Sequence, residues 1–239
     1  MKIDLVKLIK ENIYVLLLSS FIFGSISIYI AKSINNIYES KALLYATDSS
    51  SSSRNNQSFA LTSLLSENST SDNAQFASKM LFSRDFFEIL YENNTFASQL
   101  MAYINYDFLN KEDYLDKDLF NHSSSEWIVE KPPLELAHRT FLSKHFIFYE
   151  TSDMGFYQLQ IRHQSPQVAK DWSDIIIGEI NRYVGLYKEK TANQVLDFLL
   201  PQLAMEKNAT IKLSMQNLIT KKYQDLAFSK SEDYVFSVI

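Results

Sequence analysis

Side chains that could do chemistry are plentiful in one class and scarce in the others. The chain carries 28 Asp and Glu residues against 4 histidines and no cysteine. The absence of cysteine removes thiolate metal sites, cysteine nucleophiles and disulfide staples. The histidines are His122, His138, His145 and His163, and none belongs to an HExxH or comparable ligand spacing. Glu112, Asp113, Asp116 and Asp118 crowd into "NKEDYLDKDLFNHSSSEW" and raise the question of a cation. Their spacing fits no EF-hand loop and no glycine supplies the turn, so the segment reads as a solvated loop. There is no GxSxG, no glycine-rich phosphate loop and no legible nucleophile–base pair. With only 4 glycines in the chain, there is little material for a nucleotide cradle. So many acids offer too many combinations to pick out a catalytic pair. No catalytic, cofactor-binding or metal-binding residue is therefore assigned, and no cofactor is expected. The 14 Tyr and 17 Phe residues recur at helical and strand periods, which fits core packing better than carbohydrate stacking.

The elements around these residues are better defined. Few breakers, 4 Gly and 4 Pro in 239 residues, favour long helices. Residues 12–31 hold no charge, a run of 20 residues, or roughly 30 Å as a helix. Such a run is expected to be an uncleaved membrane anchor. It lacks the polar face of a core helix, and it is too long for a signal peptide. Lys2, Lys7 and Lys10 precede it and Lys32 and Lys41 follow, which points to a cytoplasmic leader over residues 1–11 and a body outside. Gly24, Ser25 and Ser27 would let another helix approach closely.

Tyr38 to Asp48 predicts a strand, followed by the Ser/Asn-rich loop "SSSSSRNNQS". "SDNAQFASKMLFSRDFFEILYE" predicts a helix capped at Ser71 or Asp72, with Phe76, Met80, Phe87 and Leu90 on one face. "TFASQLMAYINYDFL" predicts a further short helix, and "PPLELAHRTFLSKH" one begun by proline. "FIFYETSDMGFYQLQIRHQ" predicts two strands about a turn at Ser152 to Gly155, because Tyr157, Leu159 and Ile161 alternate with Gln158, Gln160 and Arg162. Ser165 and Pro166 then open a helix expected over about 166–200. Its stripe includes Val168, Trp172, Ile176, Ile180, Val184 and Leu199. Pro201 is expected to kink or end it, with the helical period resuming to about residue 227. "DYVFSVI" predicts a closing strand. The expected fold is α/β (α+β): a small mixed sheet packed with helices, with one long helix protruding. The body carries about six net negative charges once the first eleven residues are set aside (20 basic, 26 acidic), so nucleic acid is not an expected partner.

Four segments resemble the Wzz family of polysaccharide co-polymerases, the chain-length determinants of bacterial surface polysaccharides. "IDLVKLIKENIYVLLLSSFIFG" resembles that family's basic-apolar leader and first membrane helix, and "IYESKALLYA" its first strand. "KMLFSRDFFEILYE" resembles its Ser-Arg helix. "YQLQIRHQSPQVAKDWSDIIIGEINRYV" resembles the strand, the Ser-Pro turn, the Ala at 169 and the Asn at 181 that continues into the long helix. The family's usual Asp before that proline is Ser165 here. The resemblance implies an inner-membrane protein with its N-terminus in the cytoplasm and a periplasmic domain over residues 32–239. Protomers would assemble into a ring and act, without an enzymatic step, beside a Wzy-type polymerase on a polysaccharide or lipid-linked glycan, including O-antigen of lipopolysaccharide, capsule or exopolysaccharide. It also implies a second span after the last strand, which the chain as read to Ile239 is expected to have lost. Two alternatives stand beside it. One is the same module from a longer export protein with a cytoplasmic tyrosine kinase. The other is a one-span periplasmic sensor domain, for which eleven leading residues provide no output module.

Overall fold

The computed structural model describes residues 13–33, 36–47, 70–152, 155–231 and 233–239. The chain divides into two units, Met1–Ile37 and Tyr38–Ile239. The expected leader over residues 1–11 and the Ser/Asn-rich loop lie outside the described residues.

In the first unit, helix α1 spans Ile13–Ser33 and follows the uncharged run. Tyr14, Phe21, Phe23 and Tyr29 are 84%, 75%, 71% and 78% exposed, and among the described side chains of α1 there is no buried stripe. Among the described residues, no helix is long and apolar enough to cross a membrane.

The second unit is mixed α+β, built on an antiparallel sheet of four strands. Strand β1 spans Tyr38–Ala46. Helices α2 (Thr70–Leu81), α3 (Arg84–Glu92) and α4 (Asn94–Met101) follow. Two small hairpins come next: β2 (Tyr103–Asp107) with β3 (Glu112–Leu115), and β4 (Phe120–Asn121) with β5 (Glu126–Trp127). After α5 (Leu134–Thr140), a single π turn over Phe141–His145 leads into β6 (Phe146–Glu150) and β7 (Phe156–His163). Helix α6 then runs from Pro166 to Met205, α7 from Ala209 to Phe228, and β8 over Phe236–Val238. The sheet order is β6-β7-β1-β8, and each neighbouring pair is antiparallel. The mixed sheet expected from strands separated by helices is therefore corrected. β6 and β7 form a tight hairpin, and β1 and β8 reach the sheet with antiparallel polarity.

One face of the sheet makes the core. Leu44 and Ala46 of β1, Phe146 and Phe148 of β6, and Tyr157, Leu159 and Ile161 of β7 point into it at the period of two. The first half of α6 packs there through Val168, Trp172, Ile176, Ile180 and Val184. α3 adds Phe86 and Phe87, and α4 adds Phe96, whose ring lies 4.5 Å from that of Trp172.

Five local expectations are corrected. The segment read as one helix from Ser71 breaks at Phe82 and Ser83, because the Ser83 side chain accepts from Phe86 N–H and caps a new helix. Ser71 and Asp72 lie in the first turn of α2 and are not its cap. The helix expected through "YINYDFL" stops at Met101. Tyr103–Asp107 instead pairs with Glu112–Leu115, where a solvated loop was expected. Asp107 closes that turn by accepting from Leu109 N–H at 2.8 Å and from the Asn110 side chain at 2.8 Å, with Lys111 at φ 57°. Pro201 ends nothing: α6 continues to Met205, then Glu206 turns extended and Asn208 caps α7 by accepting from Thr210 and Ile211 N–H. A proline removes one i→i−4 bond near the helix end, and the break falls where Asn208 offers the next helix a start.

Candidate interaction surface

Helix α6 has two halves with different surroundings. Its N-terminus is fixed by a polar cluster at the end of β7. Ser165 caps the helix by accepting from Val168 N–H. Its own N–H donates to His163 Nδ1 at 3.0 Å, so His163 carries its proton on Nε2, which donates to the Gln99 carbonyl at 3.2 Å. Trp172 donates its indole N–H to the Gln99 side-chain oxygen at 2.9 Å. Gln99 thus joins α4, β7 and α6. Burial pushes the His163 imidazole down to about 4, and it also lowers His145, whose ring centroid lies 5.6 Å away. The Tyr103 hydroxyl donates to Asp113 at 2.9 Å, and burial together with that carboxylate holds it above the usual phenol range.

Midway along α6, Asn181 grips the last strand. Its Oδ1 accepts from Val235 N–H and Phe236 N–H, both at 2.9 Å, and its Nδ2 donates to the Phe236 carbonyl at 2.8 Å. One turn on, a Cβ at Gly185 would collide with the carbonyl of Ser229, the C-cap of α7. Only glycine lets the two backbones pass so closely.

Beyond that crossing, α6 and α7 form an antiparallel hairpin with little cover. Of the α6 residues, 10 of the first 20 are buried, from Val168 to Gly185, but only Ala192, Leu196 and Leu199 in the last 20. α7 buries only Ile219. The hairpin's own core is Leu196, Leu199 and Ile219 with Val195, Leu203, Leu218 and Leu226 around them. Outside it, large apolar side chains face solvent: Phe198 66%, Leu200 43%, Met205 75%, Leu213 59% and Tyr223 52% exposed. The expected helical stripe thus splits. Its first half is core, and its second half closes a hairpin that leaves apolar side chains open on both helices.

Of the chemistry-bearing residues, His145, His163 and Asp113 gather around Tyr103 at the start of α6, and the others lie apart. Glu112 and Asp113 sit on β3, while Asp116 turns back to accept from Asp118 N–H. His122 is exposed beyond β4, and His138 stacks on Phe87 at 4.9 Å. Among the described residues, no group of His, Asp and Glu could hold a metal ion. Sequence reasoning missed the anchoring roles of Gln99, Asn181 and Gly185. A polar residue or glycine inside an apolar helical stripe was the available signal for Asn181 and Gly185, but their partners are distant in sequence. No protein-family model and no curated protein matches this chain.

Proposed function

We propose that this protein is a non-enzymatic, membrane-anchored scaffold that regulates the chain length of a bacterial surface polysaccharide, working as an oligomer beside a Wzy-type polymerase. The observation that carries the reading is the α6–α7 hairpin. A small α+β domain holds the first half of α6 firmly, and the hairpin beyond it presents apolar side chains that no described residue covers. Neighbouring protomers would bury that surface side by side. The resemblance in four segments supplies the polysaccharide context. The inner-membrane anchor with the body in the periplasm rests on the sequence alone, on the uncharged run over residues 12–31 with Lys2, Lys7 and Lys10 before it. Reporter fusions after β1 test that topology, and a cytoplasmic signal there would refute it.

The functional test pairs Phe198→Ser with Leu213→Ser, both exposed positions whose loss should leave the fold intact. Crosslinked oligomers should decrease, and the glycan ladder should shift in length while total glycan stays constant. An unchanged ladder with oligomers lost would refute the mechanism. Loss of all polymer on deleting the gene, with the polymerase intact, would point to a catalytic or obligate export role instead.

A further inference from the structure

The two edges of the sheet are finished differently, and this difference leads beyond the scaffold reading without resting on it. Thr47 N–H donates to the Val235 carbonyl and Ile239 N–H to the Leu43 carbonyl, so the Val235 carbonyl, Ser237 and Ile239 face β1, while Val235 N–H goes to Asn181. Phe236 lies between them and turns its N–H and C=O outward, where Asn181 takes both. At Phe236 a side-chain amide thus stands in for a strand, while the outward groups of Val238 meet no hydrogen bond among the described residues.

The opposite edge, β6, has no such cover. Thr151 N–H donates to the Phe156 carbonyl at 2.9 Å. By alternation, Ile147 and Tyr149 also face β7, while Phe148 and Glu150 turn their N–H and C=O away from it. Phe146 N–H, on the same outward side, is taken by the Phe141 carbonyl. Among the described residues, no hydrogen bond meets the outward groups of Phe148 or Glu150. The strand "FIFYE" has no proline, lysine or bulge to blunt it. Beside this edge lies an open groove of about 390 Å³, walled by Gln75, Ser78 and Lys79 of α2 with Phe82, Phe148 and Glu150.

We propose that β6 is a docking edge for an extended segment of another polypeptide, which adds a fifth strand in the groove between β6 and α2. Outward N–H and C=O groups at strand spacing are completed by another main chain. The two faces of the sheet specify its side chains. Toward α2 the sheet is apolar at Phe146, Phe148 and Tyr157, so one alternate set in the partner is apolar. On the other face Gln160 donates to the Tyr149 hydroxyl, which in turn donates to Gln158, so the other set is hydroxyl- or amide-bearing. The partner is therefore a strand of Val, Ile or Phe alternating with Ser, Thr, Asn or Gln.

The test uses the full chain in mild detergent and a short blocked peptide of alternating threonine and valine that ends in lysine. Its control is the same peptide with the central amides N-methylated. Saturable binding of the first peptide is expected, with slowed exchange at the Phe148 and Glu150 amides and at least tenfold weaker binding of the second. Glu150→Pro removes one outward donor without touching the β7 ladder, and it should weaken binding by a similar factor while Thr151 keeps its protection. The methylated peptide leaves the protein unaltered, so a misfolded variant does not hide the answer. Equal binding of both peptides, or no saturable binding, overturns the proposal. Concentration-dependent self-association that Glu150→Pro abolishes also overturns it, because a second copy would then occupy the edge.

Discussion

Replacing Asn181 with leucine, a side chain of similar size, tests whether one amide holds the last strand to the long helix. Asn181 is 2% exposed, and its partners Val235 and Phe236 are 1% and 0% exposed. The substitution strands the Val235 N–H, the Phe236 N–H and the Phe236 carbonyl away from water. An orphaned buried polar group costs about 1–3 kcal/mol, so three give roughly 3–9 kcal/mol. β8 is a three-residue edge strand and can shift to recover some solvent, which places the expected loss at about 3–5 kcal/mol. Against a domain stability of about 5–15 kcal/mol this is a large fraction. For a domain of this size it corresponds to a fall of roughly 6–20 °C in Tm. Hydrogen exchange read by mass spectrometry is the decisive assay. Peptides covering Thr47, Val235, Phe236 and Ile239 should exchange faster before the rest of the sheet, because Thr47 and Ile239 bridge β1 and β8. A stability loss below about 1 kcal/mol would refute the reasoning. So would a larger loss in which β8 keeps its native protection, since the cost would then lie elsewhere in the helix.

The two glycines of α6 should respond with opposite sign. A methyl group at Gly178 would meet nothing within 4 Å, so Gly178→Ala should stabilise by about 1 kcal/mol in denaturant titration. Gly185→Ala drives a methyl into the Ser229 carbonyl and should destabilise by about 1–3 kcal/mol, loosening protection at the C-terminus of α7. Stability should also fall on acidification through His163. Its native pKa of about 4 lies below the ordinary value of 6.5, so the unfolded chain binds the proton more tightly. The stability held above pH 6.5 is therefore lost as pH falls from there toward 4, by up to about 3 kcal/mol. His163→Gln should flatten that part of the profile, leaving a smaller slope from His138 and His145, whose pKa values are lowered in the same direction.

Much of the fold was written in local chemistry. The Ser165–Pro166 start of the long helix, the alternation of Tyr157, Leu159 and Ile161, and the strand after residue 37 depend on neighbours a few positions away, and each appears where its pattern places it. The β2–β3 hairpin was missed although its signal is local: Asp107 and Asn110 make a side-chain turn between aromatic residues, but the charges around it mimic a solvated loop. Pro201 was over-weighted because a proline forbids one hydrogen bond, not the continuation of a helix. The surfaces proposed for function belong to another category. That Phe198 and Leu213 stay open while Leu196 and Ile219 close on each other depends on how two helices meet. Asn181 finds its partners 54 and 55 residues away, and nothing in its own helix says that it holds Phe236 at one edge of a sheet. Equally, "FIFYE" is a hydrophobic strand in any context, and only the order β6-β7-β1-β8 makes it an edge of the sheet. Periodicity tells which side of an element is apolar, because that follows from the backbone repeat. What covers that side follows from contacts between distant segments, which only the folded chain brings together.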